Sequence, residues 1–126
     1  MHIDNAKTIL IVDDDSNLTK ALAIRFGNKG YHCVTAESAS QGAAAFSQRR
    51  IDLVITDLSM PGGDGVELAE SMRRDAPVPL IVITGFKDEY KRRLRSVEDV
   101  TVICKPFQTR ELVELVDATL ERENAV

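Results

Sequence analysis

Cysteine is scarce: the 126 residues include only Cys33 and Cys104, and neither stands in a CxxC or CxxH spacing. Neither a thiolate metal site nor a redox pair is expected; two buried thiols in a reducing, cytoplasmic setting are. Long hydrophobic runs are missing as well. No apolar stretch approaches the ~20 residues that span a bilayer, and no basic-then-apolar leader opens the chain. A soluble protein without membrane insertion follows. Nor is positive charge in excess. Lys and Arg number 16 against 20 Asp and Glu, a formal net charge of −4, so direct binding of nucleic acid by the surface as a whole is not expected. No linker, repeat or low-complexity tract divides the sequence. One domain over 1–126 is expected, with 44% hydrophobic residues to fill its core and no room for a second catalytic domain.

What the chain does have is four short apolar runs: Ile9-Leu10-Ile11-Val12, Leu53-Val54-Ile55-Thr56, Leu80-Ile81-Val82-Ile83 and Thr101-Val102-Ile103-Cys104. Rich in β-branched residues, they read as strands buried on both faces. Helix signals separate them. Ser16 is placed to cap a helix with apolar positions Leu18, Ala21, Leu22 and Phe26, stopped by Gly30. A weaker strand over 31–36 follows. Ser38 with Gln41 forms a capping box for a helix to about Gln48, where Gly42 and the alanines at 43–45 predict close packing. After the break at Pro61-Gly62-Gly63, Asp64 with Glu67 forms a second capping box, opening a helix to about Arg74. Pro77 and Pro79 then lead into the third apolar run. Only Tyr90, Leu94 and Val97 line 88–97, which predicts a marginal, mobile fourth helix, whereas Leu112, Val113, Val116 and Leu120 give the helix over 109–122 a broader stripe. Five strands alternating with five helices predict an α/β fold, a single doubly wound parallel sheet with helices on both faces.

Each of the four runs ends in a chemically pointed residue: Asp13 and Asp14, then Asp57, then Thr84, then Lys105. Open parallel α/β sheets bind ligands at the carboxyl ends of their strands, so these groups are expected to meet. Three crowded carboxylates repel one another unless a cation or a shifted pKa relieves them. Mg²⁺ does so best, because it takes one or two carboxylates, keeps several waters and bridges to phosphate oxygens. A carboxylate can itself be the nucleophile in phosphoryl transfer, with Lys105 and Thr84 stabilising the equatorial oxygens.

These residues resemble the receiver domain of two-component response regulators, of the chemotaxis-regulator-like kind. The likeness covers nearly the whole chain, from the Ile11-Val12-Asp13-Asp14 opening through the stretch that begins Asp57-Leu58-Ser59-Met60-Pro61 to Thr84-Gly85 and Lys105-Pro106-Phe107. Any one landmark is weak, but all of them in order are specific. The resemblance implies a flavodoxin-like strand order of 2-1-3-4-5. It implies that Asp57 accepts a phosphoryl group from a sensor histidine kinase or phosphotransfer protein. Asp14, Asp57 and the main-chain carbonyl of Ser59 would bind Mg²⁺, with Asp13 assisting through water. Thr84 and Lys105 would contact the phosphoryl oxygens, and the Lys105–Pro106 bond would be cis. Helix 4, strand 5 and helix 5 would form the face for a downstream effector. The domain would be a conformational switch and not an enzyme, beyond self-catalysed phosphoryl transfer and slow autodephosphorylation, whose rate Ser59 and Phe86 would tune.

Two positions depart from the family pattern. Many members carry Tyr or Phe three residues before the lysine, where this chain has Val102, so the signal must leave by another rearrangement. Gly85 follows the threonine, smaller and more flexible than the alanine often found there. The basic stretch Lys87, Lys91, Arg92, Arg93 and Arg95 reads first as a solvated helix face and second as a docking face for an acidic partner. His2 and His32 lack ligand spacing, and Met60 and Met72 read as packing residues. Two other functions compete. A metal-dependent phosphatase of the haloacid dehalogenase type would use Asp13 and Asp15, although Asn17 departs from its motif; the third reading is a receiver-like interaction module that works without phosphorylation.

Overall fold

A computed structural model of the chain describes residues 6–58, 65–95 and 97–124. The elements are β1 (Thr8–Val12), α1 (Ser16–Asn28), β2 (His32–Ala36), α2 (Ala39–Gln48), β3 (Leu53–Asp57), α3 (Gly65–Asp75), β4 (Leu80–Thr84), α4 (Lys87–Arg93), β5 (Val100–Cys104) and α5 (Thr109–Asn124). The five strands are parallel in the order β2-β1-β3-β4-β5, as expected. Among the described residues no helix is long and apolar enough to cross a membrane.

Alternation along the strands divides the core in two. Leu10, Val12, Val54, Leu80 and Val82 face Phe46 of α2, Leu68 and Met72 of α3, and Leu94 just beyond α4. Their neighbours Ile9, Ile11, Leu53, Ile55, Ile81 and Ile83 face Leu22 and Phe26 of α1 and Leu112, Val116 and Leu120 of α5. Each inner strand thus reads as a continuous apolar run because both of its faces are covered. Gly42 lets α2 lie close on the sheet: a Cβ there would come 3.0 Å from a Val12 methyl.

Several local expectations need correction. Asp15, not Ser16, caps α1; its carboxylate accepts from the N–H groups of Asn17 and Leu18 at 3.1 and 3.2 Å, and Ser16 is already the first helical residue. The fourth helix ends at Arg93 rather than near Val97, because the chain tightens at Leu94, whose buried side chain still reaches the core. β5 is not buried on both faces: as the edge strand it is half-covered, and Cys104 is exposed instead of buried. Cys33, on the opposite edge, is half-buried, and α5 runs on to Asn124. The Ser38–Gln41 box does form, with Ser38 Oγ accepting from Gln41 N–H at 3.1 Å, while Gln41 reaches back one residue further, to Glu37 N–H at 2.9 Å. The Asp64 cap, the Pro61-Gly62-Gly63 break, His2 and Met60 lie outside the described residues.

A polar brace closes the α1/α5 face. Asp117 of α5 accepts from Lys29 Nζ and, at 2.5 Å, from the Tyr31 hydroxyl. Burial works against the Asp117 charge, but these donors hold its pKa below the usual carboxylate range. Burial also pushes the Tyr31 phenol upward, and its bond to Asp117 adds to that.

Gly30 turns the chain out of α1 at a φ of 96°, with open space where a Cβ would sit. Gly30→Ala therefore carries a backbone penalty and no steric one, and is expected to destabilise the fold by about 1 kcal/mol in urea titrations. Gly27→Ala, inside α1 and equally open, should shift stability the other way by a few tenths of that amount.

Candidate functional site

The parallel topology brings the carboxyl ends of β1, β3, β4 and β5 to one edge, and the expected residues gather there. Asp57 ends β3, only 3% exposed, and Asp13 follows β1 at 4%. Asp14 is exposed beside them. Carboxylate oxygens of all three lie within 4.8 Å of one another, close enough to share one cation. Lys105, just past β5, places Nζ 2.9 Å from Asp57 Oδ2, a buried acid meeting a half-exposed base.

Backbone bonds fix this arrangement. Asp13 N–H donates to Ala36 O at 3.0 Å, which ties the acidic turn to the end of β2, and Asp15 N–H donates to Asp13 Oδ1 at 2.9 Å. Leu58 N–H reaches Ile83 O, and Lys105 N–H reaches Thr84 O at 2.9 Å, so the ends of β3, β4 and β5 are laced together. Thr84 is fully buried, and its hydroxyl accepts from Phe86 N–H at 3.0 Å. The Lys105–Pro106 peptide is cis. Ser59 lies outside the described residues.

Electrostatics follow from burial. Loss of water raises the pKa of Asp13 to about 6; the charge of Asp57 adds to the rise, while the Asp15 N–H and Lys105 oppose it. Burial disfavours the Lys105 ammonium, but its bond to Asp57 and the charges of Asp57, Asp13 and Asp14 outweigh that and raise its pKa. The donor set is all oxygen, with two buried carboxylates, one exposed and a cation at the rim. That suits a hard divalent ion such as Mg²⁺, which would leave coordination positions for water or phosphate.

Sequence reasoning gave Asp15 a task only in the competing phosphatase motif, yet its cap and its bond to Asp13 set the shape of the turn. The spacing of Asp15 to the N–H groups of α1 was the available signal. Thr56 was likewise missed: its buried hydroxyl donates to the Asp57 carbonyl at 3.1 Å. Gly85 has open space where a Cβ would sit, and Phe86 next to it is 63% exposed. Val102 is half-buried on β5.

Fold and site together define a doubly wound α/β domain with an acidic, lysine-flanked pocket at the carboxyl edge of its sheet. The chain belongs to the response regulator receiver domain family, whose model matches residues 9–117. Among curated relatives it is 37% identical over 121 residues to the phosphate regulon transcriptional regulatory protein PhoB of Pseudomonas aeruginosa, covering 92% of this chain and 52% of that protein. It is 35% identical over 118 residues to the DNA-binding response regulator MtrA of Mycobacterium tuberculosis, covering 92% and 51%. The chain spans about half the length of these curated relatives. A CheY-like receiver domain protein from Methanospirillum hungatei superposes with a TM-score of 0.87 at 28% identity, over 95% of this chain and 98% of that one. The receiver domain of the hybrid histidine kinase CckA gives 0.76 at 27% identity, over 90% and 98%. Receiver domains bind Mg²⁺ at an acidic pocket, and the family is generally one of signalling rather than enzymatic domains.

The raised Asp13 pKa has a definite sign in the metal-free protein. In the unfolded chain Asp13 ionises near 3.8, but in the fold only near 6, so native stability falls as pH climbs through that window and stays lower above it. Asp13→Asn keeps the acceptor for Asp15 N–H and removes the charge. In the presence of EDTA it should raise stability at pH 7.5 by an amount on the order of 3 kcal/mol, vanishing below about pH 4. Urea denaturation at several pH values checks this, and a variant less stable than wild type at pH 7.5 would refute the charge-crowding account.

Proposed function

We propose that residues 1–126 form one phosphoacceptor receiver domain, phosphorylated on Asp57 and acting as a conformational switch. The observation that carries this reading is the Lys105 ammonium 2.9 Å from a buried Asp57 carboxylate, with two further carboxylates within 4.8 Å. In the proposed reaction an oxygen of Asp57 attacks the phosphorus of a phosphohistidine on a histidine kinase or phosphotransfer protein. The P–N bond breaks, the imidazole leaves and takes up a proton, and an acyl phosphate remains. Lys105, released from its pairing with the carboxylate, neutralises a phosphoryl oxygen. The Thr84 hydroxyl, whose oxygen accepts from Phe86 N–H, donates its own hydrogen to another. Mg²⁺, held by Asp13, Asp14, Asp57 and the Ser59 carbonyl, would supply charge neutralisation at the phosphoryl group. Slow hydrolysis returns the carboxylate when water attacks phosphorus. Exposure of Phe86 and the open space at Gly85 leave a path for that water.

The face formed by α4, β5 and α5 is assigned to the downstream effector. A haloacid dehalogenase-like phosphatase fits less well, because Asp15, its second aspartate, is committed to capping α1. An interaction module independent of phosphorylation leaves the pairing of Lys105 with the buried Asp57 carboxylate without a purpose.

Incubation with a small phosphodonor and Mg²⁺ should give one hydroxylamine-labile phosphate per chain, seen by intact mass. Asp57→Ala should carry none, and label that persists in that variant would sink the assignment. Lys105→Ala should slow labelling by roughly 100-fold, in line with loss of one preorganised cation, with the far-ultraviolet circular dichroism unchanged.

A further inference from the structure

Every strand of the sheet is entered past a cation. Lys7 precedes β1, Lys29 precedes β2, Arg49 and Arg50 precede β3, Arg74 precedes β4 and Arg95 precedes β5. Four of the five strands are left at an acid: Asp13 after β1, Glu37 after β2, Asp57 at the end of β3 and Asp88 after β4. Because the strands are parallel and each helix runs back across the sheet, all entries lie along one edge and all exits along the other. A cation at the end of one helix is explained by that helix's dipole. The parallel fold sets these cations side by side, so that their fields add. The formal net charge of −4 is thus unevenly divided: positive along the amino edge, negative along the carboxyl edge that holds Asp57.

Two clefts open on the basic edge. One of about 240 Å³ is lined by Lys7 and Arg50 over Ile51, Pro79 and Leu120, and one of about 370 Å³ by Arg73 and Arg74 beside Val97. Of the acids that line them, Asp52 spends Oδ2 on the Thr8 N–H at 2.8 Å, Glu98 faces Arg73 at 4.0 Å, and Glu70 is half-buried. Arg49, Arg74 and Arg95 are exposed, and none is ion-paired to another described residue.

We propose that this amino edge is a docking surface for the phosphate backbone of a nucleic acid, bound without sequence preference. The occupant follows from what the edge offers and from what it lacks. Its exposed cations are mostly arginine, whose planar fork matches phosphate oxygens bidentately. Five strands at the usual spacing make the edge about 20 Å wide, the rise of roughly six base pairs of duplex. A protein partner is anchored by aromatic or aliphatic side chains at the centre of its interface, and an anionic lipid surface is held stably by basic charge together with an inserted apolar group. The edge supplies no such anchor: among the described residues the large apolar side chains that stand exposed are Phe86, at the carboxyl edge, and Ile24, ahead of the last turn of α1. Phosphate contacts need none. The division of charge also sets the orientation. A polyanion attracts the amino edge and repels the carboxyl edge, so the Asp57 pocket stays turned outward in the complex.

The test is fluorescence anisotropy of a fluorescein-labelled duplex of about 20 base pairs, titrated with the full chain in about 20 mM salt without Mg²⁺ or phosphodonor. Saturable binding is expected, equal within about twofold for two unrelated sequences, and the logarithm of the association constant should fall against that of salt with a slope of about −3 or steeper. Arg49→Glu with Arg74→Glu should weaken binding at least roughly tenfold; the neutral pair Arg49→Gln with Arg74→Gln, which serves if the reversal does not fold, should weaken it about threefold or more. Lys20→Glu with Arg110→Glu, near the starts of α1 and α5, makes the same change in net charge away from this edge and should cost about twofold at most. No saturable binding, or a loss in the Lys20 and Arg110 pair as large as in the edge pair, would overturn the proposal. So would binding to anionic phospholipid vesicles in place of the duplex, or head-to-tail association of the protein alone in sedimentation that the edge reversal abolishes, since the edge would then belong to a membrane or to a second copy.

Discussion

Three carboxylates held within 4.8 Å of one another oppose folding, and the rest of the molecule can be understood as the frame that holds them there. The sheet supplies the force. Because β1, β3, β4 and β5 run parallel, their carboxyl ends must emerge on one side, and burial of isoleucine, leucine and valine on both faces leaves those ends little freedom. Lys105 supplies the countercharge from the last strand. Its ammonium bonds Asp57 directly, so the strand farthest from Asp13 in the chain is the one that relieves the crowding. Main-chain bonds from Asp13 to Ala36 and from Lys105 to Thr84 convert this meeting of side chains into a fixed property of the sheet edge.

The two faces of the sheet are not equivalent. On one, α1 and α5 are joined through Asp117, Lys29 and Tyr31, and a long apolar stripe on α5 locks the pair to the strands. On the other, the seven residues of α4 contribute less, and the apolar contacts continue through Leu94 and Val97 beyond its end. α2 and α3 fill most of that face with Phe46, Leu68 and Met72, so the lightly held element beside Asp57 is α4 alone. Thr84 and Phe86 connect the site directly to the start of α4, through a hydroxyl that accepts from an N–H two residues on.

Much of the fold was legible because its signals were local and redundant. Apolar runs of four residues, capping residues and glycine stops gave the order of elements, and parallel crossovers left few topologies to choose from. The site was legible for the same reason: its residues follow the strands in sequence. What sequence reasoning missed depended on neighbours in space. Asp15 had a place only in the competing phosphatase motif, and its cap shows in the N–H groups of Asn17 and Leu18 that converge on it. Cys104 sits in a run as apolar as the others, and only the position of β5 at the sheet edge exposes it. The end of α4 was overextended because Leu94 and Val97 keep helical spacing after the backbone has left the helix.

The two thiols are chemically unequal as a result. Cys33 is half-covered, and burial pushes its pKa up, which suppresses its thiolate at neutral pH. Cys104 stands in the open one residue before Lys105, in the same shallow cleft as Gly85 and Phe86. A thiol-directed fluorophore would thus attach preferentially at one native position beside the lysine–carboxylate pair. The protein carries, without any substitution, an attachment point from which rearrangement of its own sheet edge can be watched in real time.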